Sequence, residues 1–192
     1  MRRAVVVATL AALALGGCAG LPAPPAAQAP GGCDASGPLG PPQATFDIDG
    51  RIALRQGQRT DHLRFTWRHT ADSDQLTLDT ALGQGLAQLV RHAGGATLSL
   101  ADGRQRTASD WRGLARDVLG DDVPLDELPE WLRGARPERE GVVGPWHVTV
   151  SAISVVADPA SLANGCRRLP RLMDIESEHV ALRLLVDGRG EP

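Results

Sequence analysis

Phe46-Asp-Ile48-Asp-Gly50-Arg-Ile52-Ala-Leu54 sets an apolar side chain at nearly every second position, and that spacing decides the class of fold. Successive side chains of a β-strand point to opposite faces, so an alternation of period two buries one face and leaves the other in water. The alternation returns in Leu63-Arg-Phe65-Thr-Trp67, in Leu76-Thr-Leu78, in residues 86–90 and in Ala96-Thr-Leu98-Ser-Leu100. Asp102-Gly103 then offers a tight turn into residues 104–108, so this run reads as consecutive antiparallel hairpins.

Beyond this run the period lengthens. Trp111, Leu114, Ala115 and Val118 form one face of a helix that Ser109-Asp110 can cap and Gly120 can end. A second short helix carries Leu125, Leu128, Trp131 and Leu132, tolerates Pro129 only near its first turn, and stops at Gly134. Strand spacing resumes in Trp146-His-Val148-Thr-Val150-Ser-Ala152, in residues 172–175 and in residues 180–186. Strands, a helical insert and strands again predict a mainly β domain, a curved antiparallel sheet with helices on one face.

Outside residues 45–192, which suit one domain with one core, the chain changes character. Residues 19–44 are Pro, Ala, Gly and Gln with few hydrophobes, including Pro22, Pro24, Pro25, Pro30, Pro38, Pro41 and Pro42. Such a composition reads as a tether, and a proline-stiffened one reaches ~75 Å at ~3.1 Å per residue. Before it, Arg2 and Arg3 lead an apolar run over residues 4–15 that closes in Gly16 and Gly17. That is the pattern of a secretory signal peptide, residues 1–17, and it is too short for the ~20 apolar residues of a transmembrane helix. Removing Arg2 and Arg3 takes the formal charge from −3 to −5, and a mildly acidic body argues against nucleic acid as a partner.

Catalytic spacings are missing: there is no Gly-x-Ser-x-Gly, no His-Glu-x-x-His and no phosphate-cradling glycine loop, so neither an enzyme nor a cofactor is expected. His62, His69, His92, His147 and His179 are scattered without zinc-site spacing. Cys33 and Cys166 remain once Cys18 is set aside, and either a disulfide or two free thiols fits an exported protein.

Leu15-Gly16-Gly17-Cys18 resembles the lipobox of bacterial lipoproteins, which implies that Cys18 is lipidated and becomes the first residue of the mature chain. Three acyl chains at ~0.8 kcal/mol per methylene make such an anchor effectively permanent. Ala19 after that cysteine, rather than aspartate, implies delivery to the outer membrane of a Gram-negative bacterium.

Several pieces in order then resemble the LolB family of outer-membrane lipoprotein receptors. They are Gly50-Arg51-Ile52-Ala53, Arg64-Phe65-Thr66-Trp67, residues 76–83, Leu128-Pro-Glu-Trp131-Leu132-x-Gly134, Pro145-Trp146-His-Val148, and Leu169-Pro170 with Met173. The resemblance implies an incomplete antiparallel barrel of about ten or eleven strands around an apolar cavity, closed by a helical lid (LolA/LolB-like fold). It further implies a monomer that takes acylated lipoproteins from a LolA-like periplasmic carrier and inserts them into the outer membrane. Leu82, in Thr80-Ala81-Leu82-Gly83, falls on the family's protruding membrane-insertion loop, although Ala81 stands where relatives carry proline; a strand-ending core leucine is the alternative. Phe65, Trp67, Trp111, Leu114, Trp131 and Trp146 are the candidates for lining or closing the cavity, with plain core packing as the alternative for each. Two other readings share the anchor: a lipid-anchored barrel for some other hydrophobic ligand, and a structural envelope lipoprotein, neither with transfer activity.

Overall fold

The computed structural model describes residues 33–119, 123–158 and 165–190. The signal peptide, Cys18, the first part of the tether, Gly120 and the side chain of Val118 lie outside the described residues.

Among the described residues ten strands form one antiparallel sheet. The first six are β1 (Phe46–Gln56), β2 (Arg59–His69), β3 (Asp74–Thr80), β4 (Gly85–His92), β5 (Gly95–Leu100) and β6 (Gln105–Ala108). The helices α1 (Trp111–Leu119) and α2 (Leu128–Leu132) follow, and then β7 (Glu140–Val143), β8 (Trp146–Ala157), β9 (Cys166–Glu176) and β10 (Val180–Gly190). Their order across the sheet is β6-β5-β4-β3-β2-β1-β10-β9-β8-β7, so the first and last strands zip together in the middle and β6 and β7 are left as edges. The inward side chains of both halves and of both helices meet in one buried cluster, which requires the sheet to curl round the helices as an incomplete barrel.

Local chemistry explains where the sheet bends. The β1–β10 register shifts between Asp49 and Gly50. A Cβ on Gly50 would lie 2.0 Å from the Leu185 carbonyl oxygen and 2.8 Å from the Phe65 ring, so only glycine fits this bulge. At the start of α1 the Asp110 carboxylate accepts the Gly113 N–H at 2.7 Å, the cap expected from Ser109-Asp110. Past α2 the chain turns at Gly134, whose φ of +77° favours glycine.

Several features depart from the periodicity reading: α2 starts only at Leu128, leaving Leu125 ahead of it, and β8 runs past Ala152 to Ala157. β7 has only four residues and includes Gly141, too short a run for alternation to register. β9 begins at Cys166 rather than near residue 172 and carries Pro170 opposite Ile153, beside two register shifts; a bulged strand is where proline is tolerated. β10 continues past Val186 to Gly190, because Gly188, Arg189 and Gly190 pair with Asp49, Ile48 and Asp47 of β1. Backbone pairing there replaces the apolar alternation that would have revealed a strand.

Residues 33–44, expected as tether, are a strap laid on the domain. Leu39 is only 5% exposed. Gly40 exchanges N–H and carbonyl with Arg168 at 2.8 and 2.9 Å, and the Gln43 N–H reaches the Arg133 carbonyl at 2.7 Å. Arg139 donates to the carbonyls of Ala35 and Gly37, and Arg168 to that of Asp34. A buried leucine, backbone bonding and these arginine contacts help to hold a segment whose composition cannot form a core of its own.

Candidate functional site: an apolar cavity under a helical lid

Inside the barrel lies a cavity of about 160 Å³. Its walls come from alternate positions of the strands: Ile52 and Leu54 of β1, Leu63 and Trp67 of β2, Leu76 and Leu78 of β3, Ala87 and Leu89 of β4, Leu98 and Leu100 of β5, and Ile175, Leu182 and Leu184 of β9 and β10. Its roof comes from the helical segment, through Leu114 and Ala115 of α1, Val123, Leu125, and Leu128 of α2. Among the described residues every lining side chain is apolar, so the cavity offers a ligand contact with hydrocarbon and little else.

The lid is seated at both sides of the barrel's gap. α1 lies against β5 and β6. On the other side Trp131 of α2 packs on β7, where a Cβ on Gly141 would come within 2.8 Å of its ring. Arg189 of β10 donates to the Leu132 carbonyl at the end of α2, at 3.3 Å, and to the Pro170 carbonyl of β9. Burial lowers the Arg189 guanidinium to about 10, so it stays charged near neutrality while it holds the helix end.

Of the six aromatic and aliphatic cavity candidates, Trp67 and Leu114 line the cavity. The other four are buried in the core without lining the cavity. Phe65 covers Gly50, Trp131 lies between Gly141 and the Arg136 guanidinium, and Trp146 is buried at the start of β8. Trp111 meets Trp67 edge to face at a centroid distance of 5.6 Å and donates its Nε1–H to Asp126. Large rings fill space, so they mark the packed parts of the interior. The cavity is left where medium-sized aliphatic side chains of opposing strands do not meet. Those aliphatics, Ile52, Leu54, Leu63, Leu76 and Leu78 among them, stand at the inward positions of the same alternation, which was the signal available for finding them.

A second space, of about 430 Å³, is bounded by His69, Asp74, Arg91, Trp111, Asp126, Glu130 and Arg133, among others. Asp74 is fully buried and is the hub: its carboxylate accepts Trp67 Nε1–H at 2.8 Å, His69 Nδ1–H at 2.8 Å and Arg91 Nε–H at 2.7 Å. Burial alone would raise this carboxyl, but the hydrogen bonds from His69, Trp67 and Arg91 outweigh it and hold the group below the usual carboxylate range.

At the opposite end of β3 and β4, Leu82 is 90% exposed at the tip of their connecting turn. The turn is held by main-chain bonds, Thr80 N–H to Gln84 carbonyl at 2.8 Å and Gly83 N–H to Thr80 carbonyl at 2.9 Å, and by Gly83 at φ +81°. A leucine side chain presented to solvent by a backbone-determined turn contributes nothing to the core.

Cys33 and Cys166 form a disulfide with a Cα–Cα separation of 6.0 Å, fastening the strap to the start of β9.

A family model described as "Outer membrane lipoprotein LolB" matches residues 44–188. The outer-membrane lipoprotein LolB of Thiobacillus denitrificans is 36% identical over 145 residues, 74% of this chain and 72% of its own length. That of Alkalilimnicola ehrlichii is 31% identical over 198 residues, covering 97% of this chain and 96% of the relative. Among solved structures, the LolA superfamily protein NE2245 from Nitrosomonas europaea overlaps 80% of this chain and 88% of its own at a TM-score of 0.42 and 9% identity.

Proposed function

This chain belongs to the LolB family of outer-membrane lipoproteins, and from that premise we propose that it receives acylated lipoproteins from a LolA-like periplasmic carrier and inserts them into the outer membrane. The observation that carries the reading is the wholly apolar cavity roofed by the helical lid. Three acyl chains expose on the order of 40 methylenes at ~0.8 kcal/mol each, so a lipoprotein crosses water only with its chains enclosed.

The cavity of about 160 Å³ is close in size to the ~150 Å³ apolar void that admits a single benzene ring. Long chains enter only if the roof lifts, and the roof is a separate segment between β6 and β7 rather than part of the sheet. Cys18 supplies the anchor, and Leu82, which needs no rearrangement to reach lipid, is the tip that enters the bilayer on delivery. No nucleotide-binding sequence is present, so transfer runs down a ladder of affinities from carrier to receptor to membrane. A gap of ~2.7 kcal/mol per step gives about a hundredfold bias.

The test is transfer in solution. The mature chain carrying Cys18→Ala is mixed with lipoprotein-loaded carrier, and the lipoprotein is followed by pulldown. Movement of the lipoprotein onto this chain is expected. Retention on the carrier, with acyl probes still bound by this chain, would assign it to binding a hydrophobic ligand without transfer.

A further inference from the structure

The polar chamber beyond Trp67 has no part in the reading above, yet its chemistry is specific. Nearly all of its charged groups are spent on one another: Asp74 on Trp67, His69 and Arg91, Glu130 on Arg133 at 2.8 Å, and Asp126 on Trp111. Arg91 is the exception. Its Nε and Nη2 serve Asp74 and its plane lies 5.7 Å over the Trp111 ring, while Nη1 makes no hydrogen bond among the described residues. A guanidinium holds five donors in a planar fork, so donors of a partly buried cation remain free beside this space.

The charge balance selects the class of acceptor. Asp74 already neutralises Arg91, Glu130 is paired with Arg133 and Asp126 with Arg112, so an anion finds no unmatched cation there. A neutral carbonyl oxygen needs none. Trp67 stands between the two spaces, since its ring lines the apolar cavity, its edge packs on Trp111 of the chamber wall and its Nε1–H is bonded to Asp74 on the chamber side. A ligand lying across this indole must be polar at one end and hydrocarbon at the other.

The geometry points to this chamber as a subsite for the glyceryl-ester end of an acylated ligand, with Arg91 Nη1 donating to an ester carbonyl and the chains running past Trp67 into the cavity. The assignment rests on the acyl-binding reading above and deepens it by orienting the ligand. His69, Asp74 and Arg91 sit at the ends of β2, β3 and β4 remote from the Leu82 turn, so the chain tails point toward Leu82.

The experiment compares a short-chain diacylglycerol with the dialkyl ether of equal chain length, which has the same hydrocarbon and no carbonyl. Binding to the mature chain carrying Cys18→Ala is followed by tryptophan fluorescence. A hydrogen bond from a charged donor predicts about a tenfold preference for the ester. Arg91→Met, which removes every donor at this position while Trp67 and His69 still bond Asp74, brings the ratio close to one, and ether binding together with thermal melting reports whether the cavity and fold are intact. Equal affinity for ester and ether in the unsubstituted Arg91 protein overturns the subsite and leaves the acyl cavity standing. A preference that persists in Arg91→Met overturns the assignment of Arg91. Binding of neither probe removes the cavity reading and the subsite with it.

Discussion

Leu82→Glu should uncouple membrane delivery from every earlier step. The side chain is 90% exposed, so almost all of the ~1.5–3 kcal/mol released on burying a leucine is available to a bilayer. At ~1.4 kcal/mol per tenfold, losing it lowers membrane occupancy by roughly ten- to a hundredfold. A carboxylate forced to lipid depth adds up to ~3 kcal/mol more. The fold should not register the change, because the turn is built from the main chain of Thr80, Gly83 and Gln84 and exposed substitutions stay within ~0.5 kcal/mol. Liposome flotation of the Cys18→Ala chain measures the membrane term, thermal melting the fold, and transfer from a loaded carrier to liposomes the delivery. Leu82→Ala should fall between the parent and Leu82→Glu. Delivery by Leu82→Glu at the parental rate would refute the assignment of this loop.

Replacing Cys33 and Cys166 together by serine opens a link of sequence separation 133, which chain-entropy arithmetic values at up to ~5 kcal/mol; an unchanged urea midpoint would show that the strap holds without it. Ala115→Phe places a ring in the cavity roof and is expected to weaken acyl-probe binding at least tenfold at near-constant stability, so unaltered binding would place the ligand elsewhere. Trp131→Ala empties the seat on Gly141 and should cost ~3–5 kcal/mol in chemical unfolding, whereas a loss below ~1 kcal/mol would mean that α2 is not fastened there. The Asp74 carboxyl is lowered on folding, so its stabilisation is present above its unfolded value of ~3.9 and is lost as pH falls through the folded one. Asp74→Asn should therefore flatten the acid limb of the stability curve, and an acid limb identical to the parent's would assign the acid sensitivity to other carboxylates.

Which residues face inward along β1 to β5 and β10 follows from period two alone, because a strand sends alternate side chains to opposite faces whatever surrounds it. The Asp110 cap of α1 and the turn at Gly103 are likewise local, each decided by a few neighbouring residues and their backbone preferences, whereas the protruding tip at Leu82 was implied by the resemblance, with a core leucine as the alternative. The ordered fragments from Gly50 to Met173, read together, also carried the family. Four features needed the folded chain. Whether an inward residue fills the interior or borders a void depends on how far opposing strands stand apart, so Trp67 lines the cavity while Trp131 and Trp146 do not. Asp74 meets Arg91 only because β3 and β4 pair, and Cys33 meets Cys166 only because the strap lies along β9. β7 and the end of β10 exist through hydrogen bonds to neighbours rather than through any alternation of their own. Periodicity along a chain reports which face a residue takes, and only the curvature of the closed sheet determines what that face meets.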